Sequence, residues 1–254
     1  MELNTFFRCL VLQQFLFYVA SAATGSQKLP SYFKVCHQTD PNLAKCIQSS
    51  VEKLRPLLIK GIPDLGIPSI EPLSIPEVVI DQGTGSVALR SEYKNIKVYG
   101  PSKFVIKDIK IDLEKDKMRI KLLLPILHVV CDYNLDGKIM LMPITGSGLS
   151  TSNYTNIDAT VTLRVEKIKK NDNIYYNVKD FYINFDIAEA NIRFEDLFNG
   201  DQDLGEAMNL FLNDNWKQIA NEIKPVLEDN IAMILKKFAN KIFHKYPKNI
   251  LLPK

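Results

Sequence analysis

The sequence predicts an α+β fold in which a strongly curved antiparallel β-sheet wraps one long C-terminal α-helix, with a short helix near the N-terminus. Three observations predict it. An apolar stripe with steps of three and four residues runs from Asp203 to about His244. Apolar-alternating segments fill the middle of the chain, joined by turns too short to hold crossover helices. Several of those segments change their apolar face partway along, which bends a sheet.

Residues 1–22 read as a secretory signal. Arg8 precedes the apolar run from Cys9 to Ala20, and Ala20-Ser21-Ala22 offers small residues for cleavage. The run is short for a membrane span, and polar Thr24-Gly25-Ser26-Gln27 follows it. Residues 23–254 then form one domain, secreted and without stable membrane insertion. Hydrophobic content of 46% and charged content of 24% are ordinary for a globular chain. A formal charge of +3 gives no case for a nucleic-acid partner.

Secretion makes disulfides possible, and Cys36 and Cys46 are spaced for a short-loop bridge. Cys131 is left odd, either a buried thiol or a site of intermolecular pairing. Asn153-Tyr154-Thr155 is a glycosylation sequon at Asn153 in a Ser/Thr-rich, exposed stretch. Asp40-Pro41 reads as N-cap and first helical position. Leu43, Ile47, Val51, Leu54 and Leu58 follow at helical spacing, and Gly61 closes the helix. Prolines 63, 68, 72 and 76 then force an extended path that is too apolar for a loose linker.

Strands follow at roughly 77–81, 86–99, 103–113, 117–135, 138–144, 156–167 and 174–187, with turns at Gly83-Thr84-Gly85, Gly100-Pro101, Glu114-Lys115-Asp116, Asp136-Gly137, Gly146–Gly148 and Asn171–Asn173. Met118, Ile120, Leu122 and Leu124 alternate with polar residues, but after Pro125 the apolar set shifts to Leu127, Val129, Cys131, Tyr133 and Leu135. Tyr176 and Val178 likewise give way to Phe181, Ile183 and Phe185. The period of two cannot slip without an extra residue, so bulges are expected at both places. The terminal helix, about 60 Å long at roughly 1.5 Å per residue, is expected to kink at Pro225 and continue. Asp201 and Asp203 at its start and Lys236, Lys237, Lys241 and Lys245 at its end match the helix dipole. On residues alone the interior between sheet and helix is either filled or hollow.

No GxSxG, GxxxxGK[ST], HExxH or post-strand GxGxxG pattern occurs. His37, His128 and His244 are scattered. No enzyme chemistry, metal or cofactor is implied. An ester hydrolase would have to draw on His128, the one strand histidine.

Leu29-Pro30-Ser31-Tyr32 before Cys36, then Asp40-Pro41-Asn42-Leu43 and Cys46, resemble the N-terminus of takeout proteins, relatives of the insect haemolymph juvenile hormone binding proteins. Leu54-Arg55-Pro56, Gly61-Ile62-Pro63, Glu71-Pro72-Leu73 and Asp136-Gly137-Lys138-Ile139 match the segments that follow. The most specific stretch runs from Leu197-Phe198-Asn199-Gly200 through Asn215-Trp216 to Lys224-Pro225. The later cysteines of the hormone-binding branch are missing, which places the chain with the takeout branch. The resemblance implies a secreted, extracellular carrier with an apolar tunnel between sheet and helix, holding a terpenoid such as juvenile hormone or a fatty-acid-like ligand. Its expected lining is Phe211, Trp216, Ile219, Ile223 and Leu227 on the helix with Leu122, Leu124, Val129, Tyr133, Val161, Leu163, Phe181, Ile183 and Phe185 on strands, and Tyr133 offers a hydroxyl to a head group. The alternative is a lipid-transfer protein working at membranes through its basic helix end, Lys236–Lys248. A receptor partner is left open.

Overall fold

The computed structural model describes residues 28–82 and 85–254, so the signal segment and part of the Gly83–Gly85 turn lie outside the described residues. Helix α1 (Leu43–Lys60) comes first. Six strands follow: β1 (Leu73–Gln82), β2 (Val87–Tyr99), β3 (Val105–Asp112), β4 (Lys117–Ile139), β5 (Met142–Lys170) and β6 (Asn173–Phe194). Helices α2 (Gln202–Asp214), α3 (Trp216–Lys245) and the short α4 (Lys248–Leu251) end the chain. The strands form a curled antiparallel half-barrel in the order β1-β2-β4-β5-β6, with β3 paired to the first half of β4 and β2 to its second half.

Two expectations about the strands change. The Asp136-Gly137 turn and a separate strand at 138–144 do not exist: β4 runs through both, and the hairpin turns at Met140-Leu141. Glycine at 137 serves backbone approach instead, because at its φ of +151° an added Cβ would lie 2.4 Å from Ala88 O on the neighbouring strand. The Gly146–Gly148 turn is also strand, inside β5. There a Cβ on Gly146 would lie 2.9 Å from Leu197 Cα, so the glycine lets the chain after β6 cross over β5.

The face changes are real. In β6 the register against β5 shifts between Arg164 and Val165, which leaves Lys179 as the extra residue between Val178 and Asp180. At Pro125 the outcome differs from a bulge in one strand. Leu124 pairs with Ile157 and Ile126 with Thr155, so the β4–β5 register is unbroken. Buried positions nevertheless switch from even to odd in β4 past Pro125, and from odd to even in β5 going back through Asn156. Across the next pair, Ile157–Ile187 and Thr155–Glu189, the row continues to Ala188 in β6, where the inward set also switches. Three strands therefore turn together along one line, and Asn156 takes the left-handed φ of 50° that such a turn needs.

At the helix starts the sequence is close but not exact in position. Asp40 Oδ1 accepts from Asn42 N–H at 2.7 Å, and α1 begins only at Leu43. Gly61 ends it at φ 84°, as expected. Asp201 caps α2 by accepting from Leu204 N–H at 3.0 Å. The helix continues through Pro225, which lies inside α3 as expected, but an unexpected break falls at Asn215 (φ −107°, ψ 12°). The extended segment after α1 lies on the body of the protein, with Ile62, Leu65 and Ile67 buried against Tyr246. Pro76 falls within β1, where an edge strand tolerates it.

The helices close the half-barrel along the free edge of β6. Asn209 takes the N–H and C=O of Phe194, both at 2.9 Å, and Asn213 those of Ile192 at 2.9 and 2.7 Å. Glu228 then accepts from Phe185 N–H (3.0 Å), Lys236 donates to Lys179 C=O (2.7 Å) and Asn240 accepts from Val178 N–H (2.8 Å). Side chains thus replace the missing strand partner, which protects an edge otherwise open to aggregation. On the opposite side Ser86 donates to Glu222 at 2.9 Å, while Lys241 and Lys245 donate to the carbonyls of Gly66 and Asp64.

Candidate ligand cavity

Apolar residues on the concave side collect in two clusters and around a hollow. At one end Val87, Tyr133, Leu135, Ile139, Ile144, Leu197, Met208, Leu212 and Ile219 pack tightly, with Ile144 and Leu197 at 1% exposure. In the middle Val161, Ile183 and Ala232 are joined by Ile120, Leu122, Phe181, Phe185 and Leu235, which stay only half-buried. Beyond them lies a hollow of about 250 Å³. From Ile219 to Ile242 the helix spans roughly 35 Å at about 1.5 Å per residue, so the packed cluster and the hollow are at opposite ends.

The hollow is built by five pieces of chain. Leu29, Phe33 and the bridged Cys36 come from the N-terminal segment, and Ile47, Val51 and Leu54 from the apolar stripe of α1. Ile111, Leu113 and Met118 come from the β3–β4 hairpin, Leu163, Val165 and Tyr176 from β5 and β6, and Ile242, Phe243, Leu251 and Leu252 from the chain end. The Cys36–Cys46 bridge forms and staples the incoming segment to the second turn of α1. Gln38 and His37 add hydrogen bonds to the C-terminal residues, at 2.8 Å to Leu252 C=O and 3.0 Å to Lys254. Lys34, Asp112, Asp116 and Lys117 bring charge to its lining. Asp116 pairs with Lys167 at 2.6 Å, and Lys34 donates to Ser49 at 3.1 Å. Burial, and then Asp116, push the Tyr176 hydroxyl up to about 12, so it stays neutral.

Of the expected lining, Leu163 alone borders this hollow. Phe185 and Trp216 border a smaller one of about 160 Å³ with Ile187, Ala220 and Lys224. Leu122, Val161, Phe181, Ile183 and Phe185 belong to the middle cluster. Tyr133 and Ile219 are buried in the packed end, where Phe211 and Ile223 lie against them. Leu124, Val129 and Leu227 are half-buried and belong to none of these groups. The Tyr133 hydroxyl donates to Glu195 C=O, so while that bond stands it could serve a head group only as an acceptor. Sequence reasoning missed the α1 and chain-end walls, although the α1 stripe was plain and the bridge marked where it was held.

Asn153 lies on the outer face of β5, exposed, with its Oδ1 2.9 Å from His128 Nδ1. The sequon is therefore in a strand rather than a loop. Cys131 is a buried free thiol, pushed up to about 11 mainly by burial. Among the described residues no group of three or more His, Cys, Asp or Glu could hold a metal ion, and no helix is long and apolar enough to cross a membrane.

A half-barrel wound on a rod-like helix, hollow at one end, defines the class of this protein. The family described as haemolymph juvenile hormone binding protein matches residues 14–253, and the chain belongs to that family. The crystal structure of Takeout 1 from Epiphyas postvittana superposes with a TM-score of 0.73 at 28% identity, covering 87% of this chain and all of that one. The circadian clock-controlled protein daywake of Drosophila yakuba is 24% identical over 97% of both chains. A putative beta-carotene-binding protein of Schistocerca gregaria is 28% identical over 49% of each.

Proposed function

We propose that the protein is a secreted carrier that holds a small hydrophobic ligand, a terpenoid or a fatty-acid-like chain, in an apolar tunnel between sheet and helix. One observation carries the reading: the roughly 250 Å³ hollow, walled mainly by aliphatic and aromatic side chains. It is larger than the apolar cavity of about 150 Å³ that admits benzene, yet smaller than a typical drug-sized site of roughly 300–1,000 Å³. A longer ligand would therefore run on past Leu163 into the half-buried middle cluster. On this reading Leu122, Val161, Phe181, Ile183 and Phe185 of the middle cluster would line that route. Burying about 300 Å² of ligand at roughly 25 cal/mol per Å² gives around 7 kcal/mol before association costs, enough for micromolar binding. The family's haemolymph description, the Cys36–Cys46 bridge and the signal-like residues 1–22 support an extracellular site of action, and Asn153 is accessible for glycosylation.

The lipid-transfer reading draws less support. Lys236, Lys241 and Lys245, which would have met an anionic surface, each donate to a backbone carbonyl. The test is displacement of a bound apolar dye by terpenoids and long-chain lipids, followed in parallel by Trp216 fluorescence. Micromolar displacement is expected; a protein that takes up neither dye nor lipid is not a carrier.

A further inference from the structure

One row across the sheet, Ile109 on β3, Ile120 on β4, Val161 on β5 and Ile183 on β6, faces the interior. Side chains alternate along a strand, so the rows on either side of it face out. On one side the outward row is Lys110, Arg119, Thr162 and Tyr182; on the other it is Asp108, Lys121, Thr160 and Asn184. Lys110, Arg119 and Lys121 are exposed, and so is Lys107, the extra residue where the β3–β4 register shifts.

This convex face is cationic in a chain that is nearly balanced. Residues 103–111 and 117–121 hold six Lys or Arg and one acid, Asp108, whereas the whole chain has a formal charge of only +3. Lys110 stands directly opposite Arg119, and Lys117 opposite Arg164. Like charges opposed across strands repel and cost stability. The fold leaves most of that repulsion uncompensated. Among the described residues Lys107, Lys110, Lys117, Arg119 and Lys121 make no ion pair. Nearby acids are engaged elsewhere: Asp112 with Lys115 at 3.5 Å, Asp116 with Lys167 at 2.6 Å and Asp180 with Arg164 at 3.3 Å. An anion bound from outside would relieve what the chain itself does not.

We propose that this convex face binds a sulfated polysaccharide, with sulfate groups held among Lys110, Arg119 and Lys121 and a sugar ring laid against Tyr182. The surface is separate from the ligand cavity and does not depend on the carrier reading; only the choice of an extracellular polyanion draws on the proposed secretion.

Four strands at about 4.8 Å spacing make each row roughly 14 Å across, a flat track rather than a pocket. Arg119 offers a planar fork of donors to an oxyanion, and the lysines add point charges. Tyr182, 61% exposed, ends the same row, with the Thr162 hydroxyl between it and Arg119. Its ring gives a flat apolar surface and its hydroxyl a polar tip, which suits the mixed faces of a sugar. Cation, hydroxyl and aromatic in one line match a charged carbohydrate better than a bilayer. Stable attachment to a membrane takes an apolar insert besides basic charge, and these two outward rows carry no aliphatic side chain.

The test titrates the purified protein at pH 7.5 and 50 mM NaCl with a heparin oligosaccharide, with unsulfated hyaluronan, and with vesicles of phosphatidylserine in phosphatidylcholine. Micromolar binding of heparin is expected, weaker by about tenfold at 300 mM NaCl, with hyaluronan and vesicles left unbound. Lys110→Gln/Arg119→Gln should weaken heparin by about tenfold or more. Its urea midpoint should be no lower than the native one, because a repulsive pair has been removed. Lys97→Gln/Lys138→Gln takes the same charge from exposed positions on the far half of the sheet and should change heparin affinity by less than about twofold. Tyr182→Ala should weaken it by about threefold. The site is overturned if heparin does not bind, if both double variants lose affinity equally, or if vesicles bind in its place. Equal binding of hyaluronan, or no effect of Tyr182→Ala, overturns the assignment to a sulfated sugar.

Discussion

The two ends of the interior are made from the same strands and the same helix, yet one is packed and the other is hollow. At the packed end the chain after β6 crosses over β5, and Leu197 and Ile144 retain 1% exposure. At the hollow end the walls are separate pieces, held by the Cys36–Cys46 bridge, by hydrogen bonds and by Leu29, Phe33, Ile242 and Leu251 packing behind the hollow against Ile62, Leu65, Ile67 and Tyr246. A protein that must keep a void forgoes packing energy there, since walls facing empty space lose their contacts. The contrast teaches that stability and capacity are assigned to different ends. Substitutions should therefore separate them.

The largest loss is expected at the packed end. Leu197→Ala removes a fully buried side chain between β5 and the helices, and should cost about 3–4 kcal/mol in urea unfolding with ligand affinity nearly unchanged per folded molecule. A cost below about 1 kcal/mol would show that this end is as loose as the other. Next is the bridge. Cys36→Ser/Cys46→Ser opens a loop with sequence separation 10 and should cost about 3 kcal/mol on the chain-entropy estimate. Because the bridge holds one wall of the hollow, ligand dissociation should also quicken several-fold, a change that Leu197→Ala should not share.

Between the two ends runs the seam with β6. Asn209, 5% exposed, satisfies both the N–H and the C=O of Phe194, so Asn209→Ala leaves buried backbone groups without partners. About 2 kcal/mol is expected, with faster amide hydrogen exchange along 192–194 as the local signature. Protection left intact there would mean that water or a shifted chain replaces the side chain.

The contrast also explains what could be read in advance. The helix, the curved sheet and the face change at Val178–Phe181 were legible because apolar period is a local signal. Two glycine signals misled. Asp136-Gly137 and Gly146–Gly148 look like turns, but their glycines answer to backbone crossing from Ala88 and Leu197, which local pattern cannot show. The break at Asn215 was equally silent, because Asn215 N–H still bonds to Phe211 C=O as in a continuous helix. Inward-facing positions were legible; the walls of the hollow were not. Periodicity identifies which residues face inward, as it did for Ile183 and Ile219, but not which inward stretch meets a neighbour and which meets a void. That depends on where α1 and the chain end come to rest. A stripe such as Ile47, Val51 and Leu54 reads the same whether it covers a core or walls a cavity.

The smallest effect on stability is expected from filling the void itself. Val51 is half-buried on α1 and faces the hollow. Val51→Phe places a larger ring where about 250 Å³ stands empty, so overpacking costs of roughly 1–3 kcal/mol should not apply and the unfolding midpoint should hardly move. Ligand affinity should fall instead, by about tenfold for chains long enough to need the hollow and less for short ones. The ligand-length dependence is the sharper reading. If Val51→Phe weakened all lengths equally, the hollow would be the whole site, and the middle cluster would be ordinary core. If it weakened none, the cargo would lie elsewhere along the helix, toward Trp216, and the hollow end would be only a loosely built cap.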